Sequence, residues 1–216
     1  MSVRIPNIDV ERLAGRFREV VSEIDAVLSK REEVRDKLIK MGRDIVRLSG
    51  QVINAIHRGA LDEARRLLEQ MSAAAQEYME LARAEPFMWY SGHTANVLSE
   101  YVEAVAFYRL VTEGSLPSLE ELGTPEVPYL QGIGDMFGEA RRLVLDLLRQ
   151  GRIDEAERLL EAVEALYFEL RALEYPEALL PGVRHKVDVA RRLIDDTKSL
   201  LLTVKSRAGC CRASEG

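Results

Sequence analysis

Two glutamates three residues apart, Glu100 and Glu103, stand within the strongly apolar segment VLSEYVEAVAFYRLV, residues 97–111. In a helix, residues three apart lie on the same face, so the spacing predicts that the two carboxylates lie side by side. The apolar residues around them predict a buried location, where adjacent anions repel each other and lose hydration. The segment therefore requires a compensating proton or cation.

A second acidic pair, Asp135 and Glu139, lies in VPYLQGIGDMFGEARR, residues 127–142. Its four-residue spacing again places both side chains on one helical face. Gly132, Gly134 and Gly138 surround the pair. Because each glycine inside a helix costs about 1 kcal/mol relative to alanine, this density predicts that another backbone or a ligand approaches closely. If the two acidic helices pack antiparallel, all four carboxylates converge.

Four converging carboxylates have a specific chemistry. Their hard oxygen atoms select Mg²⁺ or Mn²⁺, and such ions activate water and neutralise charge on a phosphoryl group. This donor set predicts cleavage of a phosphodiester. The alternative interpretation is that the acids form the solvated stripe of an exposed helix, and the spacing alone leaves both interpretations open.

The acidic segments SEYVEAVAFY and VPYLQGIGDMFGEARR resemble the translin family, in particular its translin-associated factor X (Trax) branch. Supporting stretches are GRDIVRLSGQVINAIHRG (42–59) and ALEYPEALLPGVRHKVDVARRLIDDTKS (172–199), and the resemblance runs from about residue 30 to residue 205. The chain lacks the basic N-terminal targeting segment of eukaryotic members, and its loop at 114–126 is short. These departures favour a free-standing member of archaeal or prokaryotic type.

The resemblance implies an all-α fold of about seven helices, assembly into a hollow homo-oligomer, and binding of single-stranded RNA or DNA. In the Trax branch it also implies Mg²⁺-dependent endoribonuclease activity. Glu100 and Glu103 match the glutamate pair of the family's EYVEA motif, Asp135 matches its catalytic aspartate, and Glu139 matches the glutamate four residues later. We hypothesise that Glu100, Glu103 and Asp135 hold one or two Mg²⁺ or Mn²⁺ ions, with Glu139 completing or supporting the site. Retention of all four acids favours catalysis.

Binding of a nucleic-acid strand requires basic side chains along a groove or cavity wall. The principal candidates are Arg43, Arg47, His93 and Arg142; further ones are His57, Arg58, Arg141 and the basic residues of segment 184–192. The alternative interpretation is that these side chains are solvated or pair with nearby acids, and that His93 is structural.

Two rival functions come from different classes. The chain could be a non-catalytic nucleic-acid-binding shell, or an all-α nucleotide pyrophosphatase, which also carries E-x-x-E on one helix. The second pyrophosphatase motif has E-x-x-D spacing, from which Asp135-x-x-x-Glu139 departs. A ferritin-like di-iron site is disfavoured because the chain has no E-x-x-H.

The elements that must position these residues are predicted to be helices. Apolar residues at heptad spacing from Val10 to Val52, interrupted at Arg31, predict one very long helix with a break near Gly42 or Gly50, ended by Gly59 in a left-handed conformation. The stripe fits either a bundle core or a subunit interface. Further helices are expected over 61–82, 93–113, 127–150, 152–174 and 184–206, with a short helical turn in the loop between 113 and 127.

Composition indicates one globular all-α domain over residues 1–206, with a polar tail over 207–216. Of the 216 residues, 47% are hydrophobic, and no segment approaches the roughly 18 apolar residues of a membrane span. With no signal-peptide pattern, a cytoplasmic protein is expected. The net charge of −6 disfavours a generic nucleic-acid binder, but an acidic site accounts for part of it. Cys210 and Cys211 are adjacent in the tail, so a disulfide between them cannot cross-link separate parts of the fold.

Overall fold

The computed structural model describes the backbone of residues 6–213 and the side chains of residues 6–206. This part of the chain forms α1 (Val10–His57), α2 (Leu61–Arg83), α3 (Pro86–Trp89), α4 (Gly92–Glu113), α5 (Leu119–Leu122), α6 (Glu126–Arg149), α7 (Ile153–Arg171) and α8 (Val183–Ala213). Helices α3 and α5 are single turns within connections. Residues 6–213 contain no strand. The predicted all-α fold with a long N-terminal helix is therefore confirmed.

Helix α1 runs without interruption over its whole length. It begins at Asp9, whose carboxylate accepts a hydrogen bond from the backbone N–H of Arg12 at 3.0 Å, as an N-cap does. The break expected near Gly42 or Gly50 is wrong. Gly42 serves packing instead, because a Cβ there would lie 2.8 Å from Cγ2 of Val97 on α4. The predicted end is confirmed: Gly59 follows the helix with a φ of +72°.

The apolar stripe of α1 divides into two parts. In the C-terminal part its residues are buried in the bundle core, as Leu38 and Ile45 are. Residues 10–30, which we call the arm, extend beyond the bundle, and every residue of the arm except Gly15 is exposed. The boundary lies at Arg31, whose Nε is 3.4 Å from Oε1 of Glu85 and whose guanidinium lies 5.5 Å above the ring of Phe87.

The remaining helices surround the core with lengths close to those predicted. Helix α7 ends at Arg171, three residues before the predicted end. Leu170 is the last residue of this helix that is buried in the core, and Leu173 beyond it is exposed. Helix α8 continues past residue 206, where the polar tail was expected to begin, as far as Ala213. The side chains of Cys210 and Cys211 lie outside the described residues. None of the helices in the described part combines the length and apolar character needed to cross a bilayer.

Candidate acidic site between helices α4 and α6

Helices α4 and α6 approach each other closely at a glycine. A Cβ at Gly132 would lie 2.5 Å from the carbonyl oxygen of Ser99 and 2.6 Å from Cβ of Val102. A Cβ at Gly134 would lie 2.7 Å from Cβ of Lys186 on α8. The close approach predicted from the glycine density therefore occurs at these two positions. It does not occur at Gly138, where a Cβ would meet no heavy atom within 4 Å.

The four predicted site acids are half-buried, two on α4 and two on α6. Burial raises the pKa of Glu103 to about 8, with further contributions from the negative charges of Asp135, Glu100 and Glu139. Burial and the charge of Asp135 also raise the pKa of Glu100. The two pairs thus lie close enough to repel each other. They do not form a fully solvated stripe.

Basic and polar groups from two other helices compensate part of this charge. The ammonium of Lys186 on α8 donates a hydrogen bond to Oδ1 of Asp135, and it opposes the rise in the pKa of both glutamates. The hydroxyl of Ser49 on α1 lies 3.5 Å from Oε2 of Glu100, to which it donates. From the sequence, Lys186 was predicted only as one of the basic residues that could contact a nucleic-acid strand. Gly134, which makes room for it, was the available sign of its approach.

Glu139 has two basic neighbours. Its Oε2 lies 2.6 Å from Nε2 of His57, a residue at the end of α1 whose side chain is only 5% exposed. The His57 ring packs 5.3 Å from the ring of Phe107, and its buried Nδ1 has no hydrogen-bond partner among the described residues. Nη1 of Arg142 lies 3.6 Å from the same carboxylate oxygen. Glu139 is therefore held by a buried histidine and an exposed arginine.

The donor set fits a hard divalent cation in chemistry and charge. Carboxylate oxygens are the ligands that Mg²⁺ and Mn²⁺ prefer. The raised pKa of Glu103 reflects burial first, and then the negative charges of Asp135, Glu100 and Glu139. Within the described side chains, no three Asp, Glu, His or Cys residues are positioned to hold an ion as they stand. Lys186 also occupies an oxygen of Asp135. An ion bound at that oxygen would take the place of the Lys186 ammonium, whereas the second carboxylate oxygen of Asp135 has no bond to Lys186.

The structure places the four principal candidates for strand binding, Arg43, Arg47, His93 and Arg142, on three helices. Arg43 and Arg47 are exposed on α1, with Nη2 of Arg47 3.3 Å from Oδ1 of Asp44. His93 is exposed in the first turn of α4, beside Gly42. Arg142 is the member of this set placed at the acidic site, through Glu139.

These features define an all-α helical protein with a partly buried acidic cluster between two of its helices. A model of the translin family matches residues 33–204, and the chain belongs to this family. It is 27% identical over 177 residues to an uncharacterized protein of Methanocaldococcus jannaschii, and this alignment covers 82% of this chain and 78% of that protein. It is 26% identical over 178 residues to translin-associated protein X of Mus musculus, covering 64% of this chain and 60% of that protein. The family membership expected from the motifs is confirmed.

Solved structures share the same fold. The structure of an AfC3PO–duplex RNA complex superposes with a TM-score of 0.80 at 30% sequence identity, covering 87% of this chain and 97% of that chain. The crystal structure of apo-NeC3PO gives a TM-score of 0.77 at 25% identity, covering 94% of this chain and 100% of that chain.

Proposed function

We propose that this chain binds single-stranded RNA or DNA as a homo-oligomer and cleaves RNA with Mg²⁺ or Mn²⁺ held at the acidic site. The observation that carries the proposal is the cluster of half-buried acids on α4 and α6, in which the pKa of Glu103 rises to about 8. A purely structural surface rarely retains so many like charges in a half-buried place, whereas perturbed carboxylates are common where chemistry occurs.

RNA as the ligand is supported by the relative solved in complex with duplex RNA. Within this chain, Arg142 lies beside the acidic cluster and could contact a phosphate there. The exposed Arg43, Arg47 and His93 are the further residues that we assign to strand binding. Their position on the surfaces of α1 and α4 would extend the contact away from the acids.

Glu100, Glu103 and Asp135 would hold the ion, and Lys186 would release Asp135 as the ion binds. A divalent cation supplies Lewis acidity and lowers the pKa of water, so that a phosphodiester can be hydrolysed near neutral pH. Glu103 would lose its proton if a cation were bound, because its raised pKa reflects burial and neighbouring negative charge that the cation would offset. Glu139 and His57, hydrogen-bonded at 2.6 Å, form a pair that can hold or accept a proton beside the acids.

The test compares the wild-type chain with Glu100→Gln/Glu103→Gln on a single-stranded RNA oligonucleotide, with Mg²⁺ and with EDTA. We expect cleavage by the wild type in Mg²⁺ only, and a loss of more than about a hundredfold in the variant. The matched control is Glu77→Gln/Glu80→Gln, an exposed pair with the same spacing on α2. Binding and oligomer mass should be unchanged in both variants.

Full cleavage by Glu100→Gln/Glu103→Gln would overturn the proposed site. A wild-type chain that binds RNA but does not cut it with either ion would instead be a non-catalytic shell. Release of pyrophosphate from a nucleoside triphosphate would identify the third candidate function.

A further inference from the structure

The arm of α1 presents an uncovered apolar stripe. Its heptad positions are occupied by large apolar side chains that are between 40 and 69% exposed: Val10, Leu13, Phe17, Val20, Ile24 and Val27. Val21 and Leu28 widen the stripe on one side and are exposed as well. The match to the family model begins at residue 33, and the arm precedes it.

A projecting helix of this kind requires a covering surface. Helices gain most of their stability in water from packing an apolar face, and large contiguous apolar patches mark interaction sites. The heptad spacing matches a two-stranded coiled coil, in which the covering surface is a second helix with the same spacing. The arm is therefore suited to a helical partner.

The charges beside the stripe select that partner. Asp9, Arg16, Glu23 and Lys30 follow one another at seven-residue intervals along one edge and alternate in sign. In an antiparallel pair of identical helices, residues of this edge face each other. Arg16 then faces the partner's Glu23, and Asp9 faces the partner's Lys30. Each of these opposite-charge pairs occurs twice by symmetry.

A parallel pair lacks this complementarity. Each residue of the charged edge would then face the position five residues later on the other helix. Arg16 would face Val21, Glu23 would face Leu28, and Lys30 would face Arg35, a pair of like charges. The sequence of the arm thus favours an antiparallel arrangement with a second copy of itself.

We propose that the arm pairs antiparallel with the arm of a second copy of this chain, with the symmetry axis between Arg18 and Glu19. Leu13 then packs against the partner's Ile24, and Phe17 packs against the partner's Val20. Within one copy Arg16 forms an ion pair with Glu19 at 3.3 Å, but its side chain is 81% exposed, so it can leave this surface pair and turn toward a partner helix. The inference does not depend on the acidic site or on cleavage of RNA.

Disulfide trapping tests the arrangement in the full chain with Cys210 and Cys211 changed to serine. The Leu13→Cys chain and the Ile24→Cys chain are each expressed and oxidised alone, and the two are also co-expressed and oxidised as a mixture. Antiparallel pairing gives a covalent dimer only in the mixture, because Leu13 lies opposite the partner's Ile24 and about 16 Å along the axis from the partner's Leu13. A dimer from Leu13→Cys alone, or none in the mixture, would overturn the proposal.

Charge exchange provides an independent measurement of self-association by sedimentation at low salt. Arg16→Glu and Glu23→Arg should each weaken association about tenfold, because each creates like-charge pairs. The double variant Arg16→Glu/Glu23→Arg should restore it. Arg18→Glu/Asp25→Arg, on the outer face of the arm, is the control with the same charge changes and should match the wild type. Equal behaviour of the single and double exchanges would contradict the pairing, whatever the outcome of the nuclease assay.

Discussion

Lys186 on α8 donates a hydrogen bond to Asp135 on α6, so an ammonium group occupies an oxygen that we assign to cation binding. The contact joins residues 51 positions apart in the chain. It exists because Gly134 has no side chain between the two helices. A divalent cation bound at Asp135, as we propose, would therefore compete with this lysine for the carboxylate.

Replacing this lysine should strengthen divalent binding. In Lys186→Met the cluster loses a positive charge that opposes cation entry, so Mn²⁺ affinity at pH 8.5 should rise about tenfold. Isothermal titration calorimetry measures the change. The control is Lys198→Met, which removes a lysine of the same helix from its pair with Glu164, away from the acids. Weaker or unchanged Mn²⁺ binding in Lys186→Met would show that the two cations do not compete.

Stability in EDTA should depend on Glu103. Because burial raises its pKa from 4.5 to about 8, the folded chain retains a proton between pH 4.5 and 8 that the unfolded chain has lost. The free energy of unfolding therefore falls as pH rises through this window. Glu103→Gln removes this penalty, so the variant should melt about 5 °C above the wild type at pH 8.5 and close to it at pH 4.5.

Thermal unfolding followed by circular dichroism at both pH values checks this expectation. The exposed Glu80→Gln is the control and should melt with the wild type at both. A difference between Glu103→Gln and the wild type that did not change with pH would assign the effect to packing.

The close packing of α4 and α6 predicts opposite effects for two glycine substitutions on one helix. Gly132→Ala places a Cβ against the backbone of Ser99 and should lower the free energy of unfolding by about 1–3 kcal/mol. Gly138→Ala, where the space is open, should raise it by about 0.5–1 kcal/mol through helix propensity. Urea titration measures both. Equal effects would mean that the helices can move apart at no cost.

Strand binding should respond to salt through the exposed arginines of α1. If both contact phosphates, Arg43→Ala/Arg47→Ala should lower the slope of log affinity against log salt by about 1.4, close to 0.7 for each contact with a single strand. Fluorescence anisotropy with a labelled single-stranded RNA measures the slope. The control is Arg65→Ala/Arg66→Ala, an exposed arginine pair on α2. The same loss in both variants would indicate a general effect of net charge.

The helices could be predicted from the sequence because apolar spacing is a local property. Gly59 and the long heptad stripe gave the end and extent of α1, although the expected kink was wrong. Gly42 leaves room for the side chain of Val97 on another helix, and the local sequence does not show such a contact. The glycines beside the acids of α6 indicated close packing, but the convergence of the α4 and α6 acids depended on the hypothesis that these two helices pack against each other.

The compensating groups could not be predicted in the same way. Lys186 and His57 reach the acids only through the paths of α8 and α1, so their role depends on tertiary packing. Lys186 lies in a polar segment and His57 lies at the end of a helix, and at either place the sequence does not distinguish a basic residue from a solvated side chain.

The unbroken course of α1 has a mechanical consequence. Ser49, which hydrogen-bonds Glu100, and Phe17, which is exposed on the arm, belong to the same rod and lie about 48 Å apart along it. No break in the helix separates them, so a molecule bound to the arm is held at a fixed distance and angle from the acids. Two copies joined through their arms would therefore keep their acidic clusters in a fixed relative orientation.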